Sequence, residues 1–220
     1  MLIKRKILTI VISTILLLNI MVPNKISAYG EEYDSKNIKV GIKSLSSKTS
    51  VSLNGKSFLI GKVDGSFKGF ANIQEQNMVA KTNNFRYYIK MLDKFSTYQS
   101  ALERVNQLKN QKIQSKVGYS DGFEVWIGGF TDTSSATSYM NTISSLVNQH
   151  LEVNQSESLI NLEKSNGENI ISFDTRQEIY IKTNENIITV ENKKYRDCIG
   201  FNIQSGKLIV INNIELGNYL

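Results

Sequence analysis

One cysteine, one histidine, one proline and one tryptophan are all that 220 residues contain of those types. A lone cysteine, Cys198, excludes an intrachain disulfide and any cysteine-built structural zinc. A lone histidine, His150, leaves no material for an imidazole metal site, and no nucleophile motif surrounds it. His150 reads as a surface residue and Cys198 as a small buried apolar group. Gly128-Gly129 has neither the loop spacing nor the following Lys-Ser/Thr of a phosphate cradle, so no cofactor is expected. Surplus positive charge is also scarce. The formal net charge is +6, but Lys4, Arg5, Lys6 and Lys25 stand in the first 28 residues without an acid, leaving +2 for the rest. That is no footprint of nucleic-acid binding.

Residues 1–28 read as an export signal. Lys4-Arg5-Lys6 form a basic start, Ile7 to Val22 an apolar run, Pro23 a stop, and Ile26-Ser27-Ala28 a cleavage site. The run of 16 residues is short of the roughly 20 that span a bilayer as a helix. The rest of the chain is expected outside the cytoplasm, secreted or anchored at the cell envelope. Membrane contact is confined to residues 1–28, if that segment is retained.

Three zones follow. Residues 36–80 alternate polar and apolar in short runs, with Asn54-Gly55 and Asp64-Gly65 as turn signals. Residues 81–155 contain an internal repeat in the order β-α-β-β-α-β. Ile89 and Met91 recur as Val125 and Ile127, 36 residues on, and Phe95 and Ala101 as Phe130 and Ala136, 35 residues on. Ser96 and Gln99 fit a capping box for the first helix, and Asp132 or Thr133 caps the second. Ile89, Met91, Val125 and Ile127 should face the helices. Arg86, Tyr88, Lys90, Glu124 and Trp126 should then line the opposite, open face. Residues 157–220 are strand-like again, with Ser205-Gly206 as a turn. The expected fold class is α+β: a ferredoxin-like β-α-β-β-α-β domain flanked by β-rich segments.

The segment from Tyr87 to Phe95 with Ala101, and the segment from Phe123 to Phe130 with Ala136, resemble the two halves of a sporulation-related repeat (SPOR) domain. Lys194-Tyr195-Arg196, followed by Lys207 to Leu220, resembles the start of the stage II sporulation protein D and amidase-enhancer (LytB) family. In that family a "YRG" strand leads through "V-I-N" to "E-x-Y-L". Asp197 stands where the family has Gly, and Glu215 falls in the last block.

The resemblance implies an exported, cell-wall-associated protein that binds peptidoglycan glycan strands lacking stem peptides, in sporulation or wall remodelling, with a cell-wall amidase as a further partner. It places glycan contact on Trp126 and Tyr88, whose rings would stack on sugars, and on Arg86, Lys90 and Glu124 beside them. The family's catalytic acid lies in a block beyond the position of Leu220, so no catalytic residue is carried over. The alternative is an N-terminal piece of a lytic transglycosylase or amidase enhancer. An RNA-binding reading of the β-α-β-β-α-β order is disfavoured by the export signal and by the lack of that family's aromatic signature.

Overall fold

The computed structural model of the chain describes residues 37–45 and 48–219. The export segment read in residues 1–28 lies outside the described residues. Among the described residues, no helix is long and apolar enough to cross a membrane.

In chain order the first five strands are β1 (Asn37–Gly41), β2 (Ser50–Asn54), β3 (Phe58–Asp64), β4 (Ser66–Ile73) and β5 (Asn77–Thr82). The repeat supplies β6 (Tyr87–Met91), α1 (Tyr98–Asn110), β7 (Ser115–Tyr119), β8 (Phe123–Phe130), α2 (Thr133–Val147) and β9 (Leu151–Gln155). Then come β10 (Leu159–Lys164), β11 (Asn169–Asp174), β12 (Ile179–Val190), β13 (Lys193–Gln204), β14 (Lys207–Glu215) and a final turn, α3 (Leu216–Tyr219).

These strands join one mixed sheet of 14 strands, which overturns the expected fold class. Its path is β1-β14-β13-β12-β2-β5-β10-β11-β7-β8-β6-β9, with the β3–β4 hairpin branching from β12. A ferredoxin-like domain between separate β segments would keep each segment's strands to itself. Here the strands pair across every expected boundary. β5 takes β10 as antiparallel neighbour, with Ile160 opposite Thr82. β11 runs parallel to β7, with Phe173 opposite Tyr119. β12 pairs with both β3 and β2, and β1 with β14. The physical cause is the sheet edge. An edge strand leaves a row of unpaired N–H and C=O groups, and strands distant in the chain close these edges.

Local signals set the repeat's elements. Thr97 caps α1: its Oγ1 accepts from Ser100 N at 3.1 Å, and Ser100 Oγ accepts from Thr97 N at 3.4 Å. This capping box sits one residue later than the Ser96 and Gln99 pair expected. Asp132 caps α2, accepting from Ser135 N at 2.8 Å. Val105 and Leu108 of α1 and Ile143 and Val147 of α2 share a core with Ile89, Met91, Val125 and Ile127, the four residues expected to face the helices.

Ser205 and Gly206 both take positive φ, 51° and 74°, and turn β13 into β14. Asn54-Gly55 makes no hairpin. β2 and β3 do not pair with each other; each lies against a different half of β12, and the dipeptide is the bend between them. The β3–β4 hairpin docks on the repeat. Phe70 stacks on Tyr119 with centroids 4.1 Å apart and planes 5° from parallel, and Phe123 meets Phe70 edge-on at 5.6 Å. Lys62 adds an ion pair to Asp121 Oδ1 at 2.9 Å.

Candidate functional site

Alternation does place Tyr88, Lys90, Glu124 and Trp126 away from the helices, but that face is covered. Trp126 is 1% exposed, Tyr88 7% and Glu124 0%. The Tyr88 and Trp126 rings lie 4.4 Å apart, and Leu159 of β10 completes a small cluster with them, distinct from the main core. Trp126 Nε1 donates to Glu124 Oε2 at 3.0 Å. Lys90 Nζ stands 2.8 Å from Glu124 Oε1, with its side chain 18% exposed. Burial, reinforced by the Glu124 and Asp174 carboxylates, holds the Tyr88 phenol well above its ordinary range. Gly118 lies directly under the indole, where an added Cβ would meet the ring at 2.1 Å.

These residues therefore form a closed plug, and no ring face is offered to a sugar. Alternation fixes which face a side chain takes. It does not say what later segment covers that face, and here Leu159 does so. Arg86 is exposed and, among the described residues, its side chain pairs with Glu157 at 3.8 Å.

The accessible feature lies beside this plug, on the β7 side. It is a cleft of about 460 Å³ between the repeat and the β5, β10 and β11 strands. Lys116 belongs to it. Lys116 is the direct cross-strand partner of Trp126, so it shares the expected face but sits one strand nearer the cleft. Phe85 forms part of the rim and is 46% exposed. Its backbone N–H donates to Asn83 Oδ1 at 3.1 Å. Its ring rests on Gly129, where an added Cβ would approach the ring to 2.7 Å. Gly129 thus seats the Phe85 ring, and Gly128 lies against Phe130.

The cleft's polar groups are cross-linked. Lys81 Nζ pairs with Glu163 Oε2 at 2.6 Å. Lys116 Nζ donates to Asn161 Oδ1 at 3.2 Å, and the Ser172 hydroxyl donates to the same oxygen at 2.7 Å. Burial pulls the Lys116 ammonium down to about 8. Lys116, Asn161 and Asn169 were not singled out by sequence reading. Lys116 was within reach of it, through the same alternation that placed Trp126. The two asparagines were not, because they join the cleft by long-range pairing.

No family model, curated protein or solved structure matches the chain. The family resemblance therefore rests on the residues themselves. Asp197 has φ +63°, the left-handed conformation that favours glycine.

Elsewhere, Cys198 is buried, which pushes its thiol up to about 12, and His150 is exposed. Among the described residues, no group of three or more His, Cys, Asp or Glu side chains is placed to hold a metal ion. The cleft combines an aromatic face, side-chain amides and paired charges. Those are the groups that bind a polyhydroxylated ligand by stacking and hydrogen bonds.

Proposed function

We propose that the chain is an exported, cell-wall-associated protein of the stage II sporulation protein D and LytB type that binds peptidoglycan glycan strands. The binding surface is the cleft beside Phe85, not the Trp126 face. One observation carries this reading: a half-exposed phenylalanine ring, resting on a glycine, at the rim of a cleft lined with asparagines, lysines and a glutamate. A sugar's apolar face stacks on such a ring while amides and charges engage its hydroxyls. The left-handed Asp197 supports the family assignment. The basic and apolar order of residues 1–28 supports export. A cell-wall amidase stands as a second partner on the family resemblance alone.

The test is co-sedimentation of the chain with peptidoglycan stripped of its stem peptides by an amidase. Phe85→Ala should weaken binding by about 1 kcal/mol, roughly five-fold, the scale of an aromatic contact. Absence of binding by the parent chain would refute the function. Unchanged binding by a folded Phe85→Ala variant would move the site elsewhere.

A further inference from the structure

Within this cleft the two lysines are not equivalent. Lys81 is committed to Glu163 at 2.6 Å. Lys116 instead donates to a neutral amide oxygen, that of Asn161, at 3.2 Å, and has no carboxylate partner of its own among the described residues. The amide it uses is the head of a relay. Ser172 Oγ donates to the same Asn161 oxygen at 2.7 Å and accepts from Asn169 Nδ2 at 3.1 Å. Asn169 thereby spends an N–H inside the protein, while its Oδ1 is buried with no hydrogen-bond partner among the described residues. Both Lys116 and Asn169 line the cleft. Its wall therefore holds an ammonium without a counter-ion of its own and, just beneath the surface, an amide oxygen short of a donor.

We infer that this part of the cleft is a carboxylate subsite, in which Lys116 pairs with the carboxylate of an acidic amino sugar and Asn169 Oδ1 accepts from the adjacent acetamido N–H. The inference rests on the glycan-binding reading and names the kind of sugar it selects. Burial weakens hydration of the Lys116 ammonium, so an arriving anion has less water to displace there. The other charged groups at the site are Glu163 on β10, which opposes an anion, and Lys81 on β5, which is paired with it and offsets that opposition. A neutral glycan offers Lys116 hydroxyl and carbonyl acceptors but no counter-charge.

A carboxylate of this kind could come from the lactyl ether of muramic acid or from a uronic acid, and binding assays separate the two. The chain is titrated with four ligands: amidase-stripped glycan strands, the same strands with their carboxylates amidated by carbodiimide, a neutral N-acetylglucosamine oligomer, and a uronic-acid oligomer without acetamido groups. The stripped strands should bind at least ten-fold more tightly than the amidated ones or the neutral oligomer. Lys116→Met should abolish that difference, and Lys116→Arg should restore part of it. Asn169→Asp should weaken the stripped strands selectively, by placing a negative charge beside their carboxylate. Circular dichroism checks that each variant is folded, and the comparison of ligands on the parent chain needs no variant.

Equal binding of stripped and amidated strands would overturn the subsite while leaving glycan binding intact. Uronic-acid binding as tight as that of stripped strands would overturn the role given to Asn169. Binding of none of the four would overturn both the subsite and the function on which it rests.

Discussion

Trp126 is the single tryptophan of the chain, so its fluorescence reports on one known place. Replacing it with alanine empties the space between Tyr88, Leu159 and the Gly118 backbone. Removing a buried Trp side chain costs about 3–5 kcal/mol. The same change strips the indole donor from Glu124, a carboxylate with no exposure. Leaving that oxygen unpaired adds about 1–3 kcal/mol, although the two costs share a site and need not add fully. Set against a typical domain stability of about 5–15 kcal/mol, Trp126→Ala should stand near the edge of unfolding at room temperature. Trp126→Phe keeps most of the volume and loses the N–H, so it should cost about 1–3 kcal/mol. Urea denaturation followed by far-ultraviolet circular dichroism measures both, since neither variant retains the fluorophore. In the parent chain, the emission should be blue-shifted, resistant to iodide and acrylamide, and unmoved by added glycan strands. A red-shifted, readily quenched emission would refute the reasoning. So would a shift on glycan addition, or a Trp126→Ala cost under about 1 kcal/mol, the range of an exposed residue.

The remaining predictions concern charge and packing. Because Lys116 titrates near 8 in the folded chain and near 10.5 when unfolded, the unfolded state holds more protons between those values, and stability should rise with pH across that window. Lys116→Met should flatten the rise and stabilise the fold at pH 7 by up to about 3 kcal/mol, less whatever solvent screens at this partly exposed side chain, as read from urea midpoints at pH 7 to 10. Lys90→Met leaves the Glu124 carboxylate buried without its cation and should cost about 3–5 kcal/mol. The double variant Lys90→Met/Glu124→Leu removes the stranded charge but leaves the buried Trp126 indole N–H without its acceptor, so it should recover only part of that loss in thermal melts. Gly118→Ala drives a methyl group into the Trp126 indole, and should destabilise by about 1–3 kcal/mol or more in the same melts.

Much of the repeat was legible because its signals are local. Asp132 sits beside the helix it caps, the first cap falls one residue from the expected Ser96, on Thr97, and the alternation around Ile89 and Val125 reports which side chains face those helices. The neighbours of a strand edge are not local. Nothing near Val117 announces that β7 will take Ser172 and Phe173 as parallel partners, and nothing near Trp126 announces Leu159. The face was therefore read correctly and its exposure was not. The candidate site suffered the same limit. Phe85 and Lys116 belong to the repeat, but Asn161, Glu163 and Asn169 reach the cleft only through the β5–β10–β11 pairing. Asn54-Gly55 failed for a related reason. Its composition permits a hairpin, but β12 offered two separate stretches of one edge to the strands on either side.

The β5–β10 pairing also favours one order of assembly. These strands are antiparallel neighbours from Thr82 and Ile160 to Met78 and Lys164, the geometry of a hairpin whose connection is everything from residue 83 to residue 158. Closing a flexible connection of that length costs about 3–4 kcal/mol in chain entropy. The repeat removes most of that cost by folding, because its two ends then leave about one strand spacing, roughly 5 Å, apart. It serves as the turn of a hairpin too long to have any other, so β10, already paired locally with β11, meets β5 at the least entropic cost once residues 85–155 have formed. An unfolding event that begins in α1 or α2 would release the β5–β10 pairing with it. The cleft, which draws one wall from each side of that junction, would open in the same step.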